Sequence, residues 1–117
     1  MHKRMILWAA LILMALVSLT NSTAQVTTQE RPVVLKIQLA NEAITPVTAR
    51  YISTAIRQAE EQRVAALILV LDTPGGLVES TRDVVRNILQ SKVPVVVYVA
   101  PAGGRAASAG VFITMAG

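Results

Sequence analysis

Residues 64–76 read VAALILVLDTPGG. The apolar run Val64 to Leu71 predicts a strand. It is almost continuous rather than alternating, the pattern of a strand with both faces covered in a parallel sheet. It stops at Asp72-Thr73-Pro74-Gly75-Gly76, where a proline and two glycines cannot prolong the strand and a tight turn must follow. That turn lies at the carboxyl end of the strand, which is where open α/β sheets build their sites.

The flanking sequence repeats the same alternation of elements. Pro32 introduces a first strand, Val33 to Leu39, and Thr45-Pro46 then supplies an N-cap followed by proline at the first helical position. From there Ile44, Val47, Tyr51, Ile52, Ala55, Ile56 and Ala59 recur at helical spacing, with Arg50, Arg57, Gln58 and Glu61 on the opposite side, to about Gln62. After the glycine turn, Leu77 to Gln90 predicts a second amphipathic helix, with Leu77, Val78, Val84, Val85, Ile88 and Leu89 apolar. Pro94 opens a third strand, Val95 to Val99. A second glycine loop, Pro101 to Arg105, leads to the small residues Ala106 to Gly110 and a helix-like VFITMA. The order is βαβαβα, an α/β fold with a parallel sheet and right-handed crossovers. Three strands and three helices make a thin core, and the last helix has barely begun at Gly117, so the domain over residues 33–117 reads as incomplete at its C-terminus.

The first 24 residues, MHKRMILWAALILMALVSLTNSTA, combine basic Lys3 and Arg4, an apolar run from Met5 to Val17 and small residues at Ser22 and Ala24. This predicts a secretory signal peptide cleaved after Ala24, hence an exported, extracytoplasmic protein. The alternative is a retained anchor, although the run is short for a hydrocarbon layer of about 30 Å. Residues 25–32 form a polar linker without periodicity.

Composition narrows the chemistry. Of 117 residues, 53% are hydrophobic and 15% charged, which suits a buried core. Removing Lys3 and Arg4 from the eleven basic residues leaves nine against seven acidic ones, so the mature net charge falls from +4 to +2 and gives no reason to expect a nucleic-acid partner. There is no cysteine, and the single histidine is His2, inside the expected leader. The mature chain therefore has no Ser-His-Asp triad, no cysteine nucleophile and no His/Cys zinc site, and no cofactor is expected.

Two loops remain as carriers of chemistry. Gly75-Gly76 lets the backbone approach a bound chain and can turn N–H groups toward a developing oxyanion, though a Pro-Gly-Gly turn alone is ordinary. One βαβ step later Ser108 sits within Ala106-Ala107-Ser108-Ala109-Gly110, where small neighbours leave a hydroxyl accessible at a helix start; the plain alternative is close helix packing around a buried serine. Residues 71–114, LDTPGGLVESTRDVVRNILQSKVPVVVYVAPAGGRAASAGVFIT, resemble the ClpP-like serine protease domain of the NfeD family, which is membrane-bound and related to ClpP and signal peptide peptidase A. The resemblance runs from about Val33 to the end.

It implies Ser108 as nucleophile, the amides of Gly76 and Ala109 as oxyanion hole, and Gly75 and Leu77 as backbone contacts for an extended substrate. Arg105 is either a contact to a substrate carboxylate or a solvated loop residue, and Asp72 has the plainer role of a turn cap. The family's base is a lysine from a segment after the nucleophile helix. The mature chain holds only Lys36, mid-strand, and Lys92, expected at the opposite end of the sheet, so it is expected to carry half of a Ser-Lys dyad and to be inactive alone. The resemblance further implies hydrophobic segments of membrane-associated, stomatin-like proteins as substrates, and homo-oligomers in the full-length form. The DNA that follows Gly117 is expected to encode the rest of the domain. Two other readings stay open: a peptide-binding module that does not cut, and a crotonase-type acyl-CoA enzyme, against which export argues.

Overall fold

The computed structural model describes residues 31–117 together with His2. The expected leader, His2 apart, and residues 25–30 of the expected linker lie outside the described residues. The elements are β1 (Val34–Leu39), α1 (Pro46–Glu61), β2 (Ala66–Leu71), α2 (Val78–Gln90), β3 (Val95–Val99) and α3 (Ala109–Ala116), which is the βαβαβα order read from the sequence. The strands form one parallel sheet in the order β1-β2-β3, with Lys36 beside Ile68 beside Val96, and Gln38 beside Val70 beside Tyr98.

Local chemistry sets the ends of these elements. Thr45 caps α1 in a reciprocal box: its amide donates to Thr48 Oγ1 at 2.7 Å, its own hydroxyl accepts from the Thr48 amide at 3.4 Å, and Pro46 follows at the first helical position. At the other end Arg63 takes the left-handed conformation at φ 51, and the Val64 amide folds back onto the Ala59 carbonyl at 3.1 Å.

Leu67, Leu69 and Leu71 of β2 are fully buried and share one core with Leu39, Ile52 and Ile56, Val84 and Ile88, and Ile113. The alternate positions behave differently. Ile68 and Val70 are half-buried, and Lys36, Gln38, Val96 and Tyr98 are exposed, so among the described residues the helices cover one face of the sheet only. This corrects the expectation that both faces of β2 are covered. Consecutive crossovers of one hand between strands in the order 1-2-3 send their helices to the same side.

The apolar stripes of the helices also need correction. Val47 is 78% exposed and Tyr51 is exposed, while α1 buries Thr48, Ala49, Ile52, Ala55, Ile56 and Ala59. In α2 the core-facing residues are Ser80, Thr81, Val84 and Ile88, and Leu77, Val78 and Leu89 remain exposed. The short sheet is too narrow to accept the full width of either stripe, so each helix leaves apolar side chains outside the core.

Candidate active site

Beyond the carboxyl ends of the strands the chain keeps pairing in parallel. Thr73 bridges to Ala106, with the Thr73 amide donating to the Arg105 carbonyl at 2.7 Å and the Ala107 amide donating to the Thr73 carbonyl at 3.1 Å. On the other side Gly76 bridges to Ile44, with Ile44 N–H to Gly75 carbonyl and Leu77 N–H to Ile44 carbonyl both at 2.8 Å. The DTPGG turn is therefore stitched between the start of α1 and the loop that carries Ser108. Gly76 must be glycine, since a Cβ there would lie 2.2 to 2.6 Å from backbone atoms of Ile44.

Ser108 stands at the N-cap of α3 with φ 48 and ψ −108, outside the regions that L residues ordinarily occupy. Serine is a preferred N-cap residue, yet here its side chain makes no capping hydrogen bond. The residue is exposed, and its hydroxyl is bonded to no group among the described residues. The second loop thus delivers a strained, exposed serine to the start of α3, with its side chain unused by the helix.

Gly75, with φ +122, backs directly onto it: a Cβ at Gly75 would come within 2.8 Å of Ser108 Cβ. Gly110 is excluded from a larger side chain in the same way, by the Thr73 methyl at 2.8 Å. The Gly76 and Ala109 amides donate to no group among the described residues, and both residues line, with Ser108, a cavity of about 790 Å³ whose walls include Leu89, Phe112 and Met115. The N-terminal end of α2 is also uncapped, with Leu77 at its N-cap.

The Gly75 carbonyl accepts from Ile44 and Thr73, and the Gly75 amide donates to Thr73 Oγ1. The Leu77 amide donates to Ile44, and its carbonyl accepts from the Thr81 amide and hydroxyl. In this segment Gly76 is thus the residue whose backbone N–H and carbonyl are not engaged by described residues. Asp72 Oδ1 accepts from the Arg105 amide at 2.9 Å, and Arg105 Nη2 donates to Asn41 Oδ1 at 3.2 Å, so both brace the second loop. Lys36 projects from the exposed face of β1. Lys92 follows α2, and its amide donates to Glu60 at the far end of α1 at 2.8 Å. Neither lysine lines the Ser108 cavity. Among the described residues no group of three or more acidic or imidazole side chains is placed to hold a metal, and no helix is long and apolar enough to cross a membrane.

Sequence reasoning missed Ile44, which it placed on the stripe of α1 and which instead forms a bridge, and Thr73, which it treated as part of a turn. A threonine two residues before a glycine in such a turn is the available signal for the second.

Gly76, Ser108 and Ala109 thus line one cavity at the carboxyl end of a parallel sheet, where open α/β folds place their sites. The family model described as NfeD1b, N-terminal domain, matches residues 33–117, and the chain belongs to that family. The membrane-bound protease PH1510 of Pyrococcus horikoshii is 43% identical over 72 residues, 62% of this chain and 16% of that protein. The membrane protein NfeD1b of Bacillus subtilis is 37% identical over 67 residues, 57% of this chain and 15% of that protein. The chain thus spans about a sixth of the length of the curated relatives it matches. Among solved structures, a variant of the 1510-N membrane-bound stomatin-specific protease with serine replaced by alanine superposes with a TM-score of 0.71 at 37% identity, covering 74% of this chain and 42% of that one. A lysine-to-alanine variant of the same protease, in complex with a substrate peptide, gives 0.70 at 38% identity, covering 74% and 39%.

Proposed function

We propose that this chain is part of a serine endopeptidase of the Ser-Lys type, with Ser108 as nucleophile and the Gly76 and Ala109 amides as oxyanion hole. The observation that carries the reading is the Ser108 backbone, held in a strained conformation against Gly75, in a cavity that it lines together with Gly76 and Ala109, whose amides are unpaired among the described residues. Ser108 Oγ attacks the scissile carbonyl carbon, its proton passing to a neutral lysine amine. The carbonyl oxygen becomes an anion facing Gly76 N–H and Ala109 N–H, where each such donor is worth roughly 10²- to 10³-fold in rate. The amine product leaves with the lysine's proton, and water then hydrolyses the ester on Ser108. Lys36 and Lys92 are both remote from the cavity, so the base comes from outside the described residues and these residues alone are inactive toward peptide bonds.

The substrates on this reading are hydrophobic segments of membrane-associated, stomatin-like proteins. The apolar walls of the cavity support hydrophobic segments, and the related protease, which is stomatin-specific, supports stomatin-like proteins as their source. The site works on the extracytoplasmic side, and the full-length form assembles as a homo-oligomer. A peptide-binding module that does not cut is the second reading, favoured by the distance of both lysines from Ser108.

A fluorophosphonate probe separates the two. The strained, exposed hydroxyl at an oxyanion hole retains reactivity without its base, so labelling should map to Ser108 rather than to Ser53, Ser80 or Ser91, and should vanish in Ser108→Ala. Labelling spread over the other serines, or none at Ser108, overturns the nucleophile assignment.

A further inference from the structure

Thr73 is fully buried and touches both loops of the site with all three of its parts. Its backbone pairs with Arg105 and Ala107, ahead of Ser108. Its methyl lies where a side chain on Gly110 would have to go, in the first turn of α3. Its hydroxyl donates to the Gly75 carbonyl and accepts from the Gly75 amide, each at 3.2 Å. Among the described residues that hydroxyl is the only acceptor the buried Gly75 amide has.

The consequence lies in the next peptide plane. The Gly75–Gly76 bond is trans, so the Gly76 N–H points opposite to the Gly75 carbonyl. That carbonyl is fixed from one side by Ile44 N–H and Thr73 Oγ1–H. Holding it there turns the Gly76 amide the other way.

We propose that Thr73 is a positioning residue whose hydroxyl sets the aim of the Gly76 amide and whose backbone ties that turn to the loop carrying Ser108. This rests on the reading of Ser108 and Gly76 given under the proposed function. Without the hydroxyl the Gly75 amide is buried and unpaired, and the turn must rotate to find a new acceptor, carrying the Gly76 N–H with it.

The test uses the full chain and three substitutions. Thr73→Val keeps the shape and removes the hydroxyl; Thr73→Ser keeps the hydroxyl and removes the methyl. Well below the thermal midpoint of each variant, Thr73→Val should slow fluorophosphonate labelling of Ser108 by about 10-fold or more, and Thr73→Ser should stay within about 3-fold of the parent. Should the valine variant not fold, Thr73→Ala against Thr73→Ser isolates the same hydroxyl. Equal labelling in the valine and serine variants, whether both fast or both slow, overturns the proposal. A second readout is independent of Ser108 reactivity: the Gly76 amide resonance in a ¹⁵N–¹H spectrum should move in Thr73→Val and hold in Thr73→Ser. If the parent chain does not label at all, the nucleophile reading fails, and an unmoved Gly76 resonance in the valine variant still overturns the role of Thr73.

Discussion

Gly75 and Ser108 stand back to back, with room for one side chain between them: a Cβ on Gly75 would meet Ser108 Cβ at 2.8 Å. The φ of +122 at Gly75 and of 48 at Ser108 are two halves of one arrangement, in which the glycine yields the space that the strained serine fills. Gly103 provides the comparison, since its φ is +87 but an added Cβ meets nothing within 4 Å. Gly103→Ala should cost roughly 1 kcal/mol for backbone strain alone. Gly75→Ala should cost roughly 2–5 kcal/mol, strain plus overpacking, and abolish labelling of Ser108. Denaturant unfolding of both variants, read beside labelling, checks this, and equal costs would mean that the contact with Ser108 is not what selects glycine.

Leu77 caps α2 without a capping side chain, is 58% exposed, and leaves the first amides of the helix free beside the cavity. Leu77→Asp should stabilise the protein by about 1 kcal/mol through a cap and the helix dipole. The same carboxylate places negative charge near the proposed oxyanion hole and should slow labelling of Ser108. A variant that gains stability and loses no reactivity would show the uncapped end to have no part in the site.

Arg63 ends α1 in the left-handed conformation, which costs an L residue energy and glycine almost none. Arg63→Gly should raise stability by about 0.5–1 kcal/mol, since relief of strain outweighs the added freedom of the unfolded chain. Thermal unfolding midpoints decide it.

Leu69 points into the core and Ile68 to the open face of the sheet. Leu69→Ala should cost about 3–4 kcal/mol and Ile68→Ala no more than about half as much. Comparable losses would mean that the outer face is covered in solution.

The element order was legible because each signal is local: the apolar run of β2, the Thr45-Pro46 start of α1, and the glycines after β2 and β3. The position of Ser108 at the head of α3 was legible too, through the small residues around it. What covers each face was not. The run ALILVL reads alike whether or not a second layer lies on Ile68 and Val70, and a helical stripe containing Val47 or Leu89 gives its angular position without saying how wide a partner it meets. Nor did the sequence disclose that Leu77 spends its backbone on Ile44 and Thr81 while Gly76 keeps its own free, because that follows from a bridge between residues 32 positions apart. Thr73 was hidden for the same reason: its partners Arg105 and Ala107 arrive only when β3 lies beside β2.

The most direct measurement is a crystal structure of the protein phosphonylated on Ser108. The phosphoryl oxygen should lie about 2.7–3.1 Å from both the Gly76 and the Ala109 nitrogen. An adduct whose oxygen faces solvent, with both amides unbonded, would contradict it.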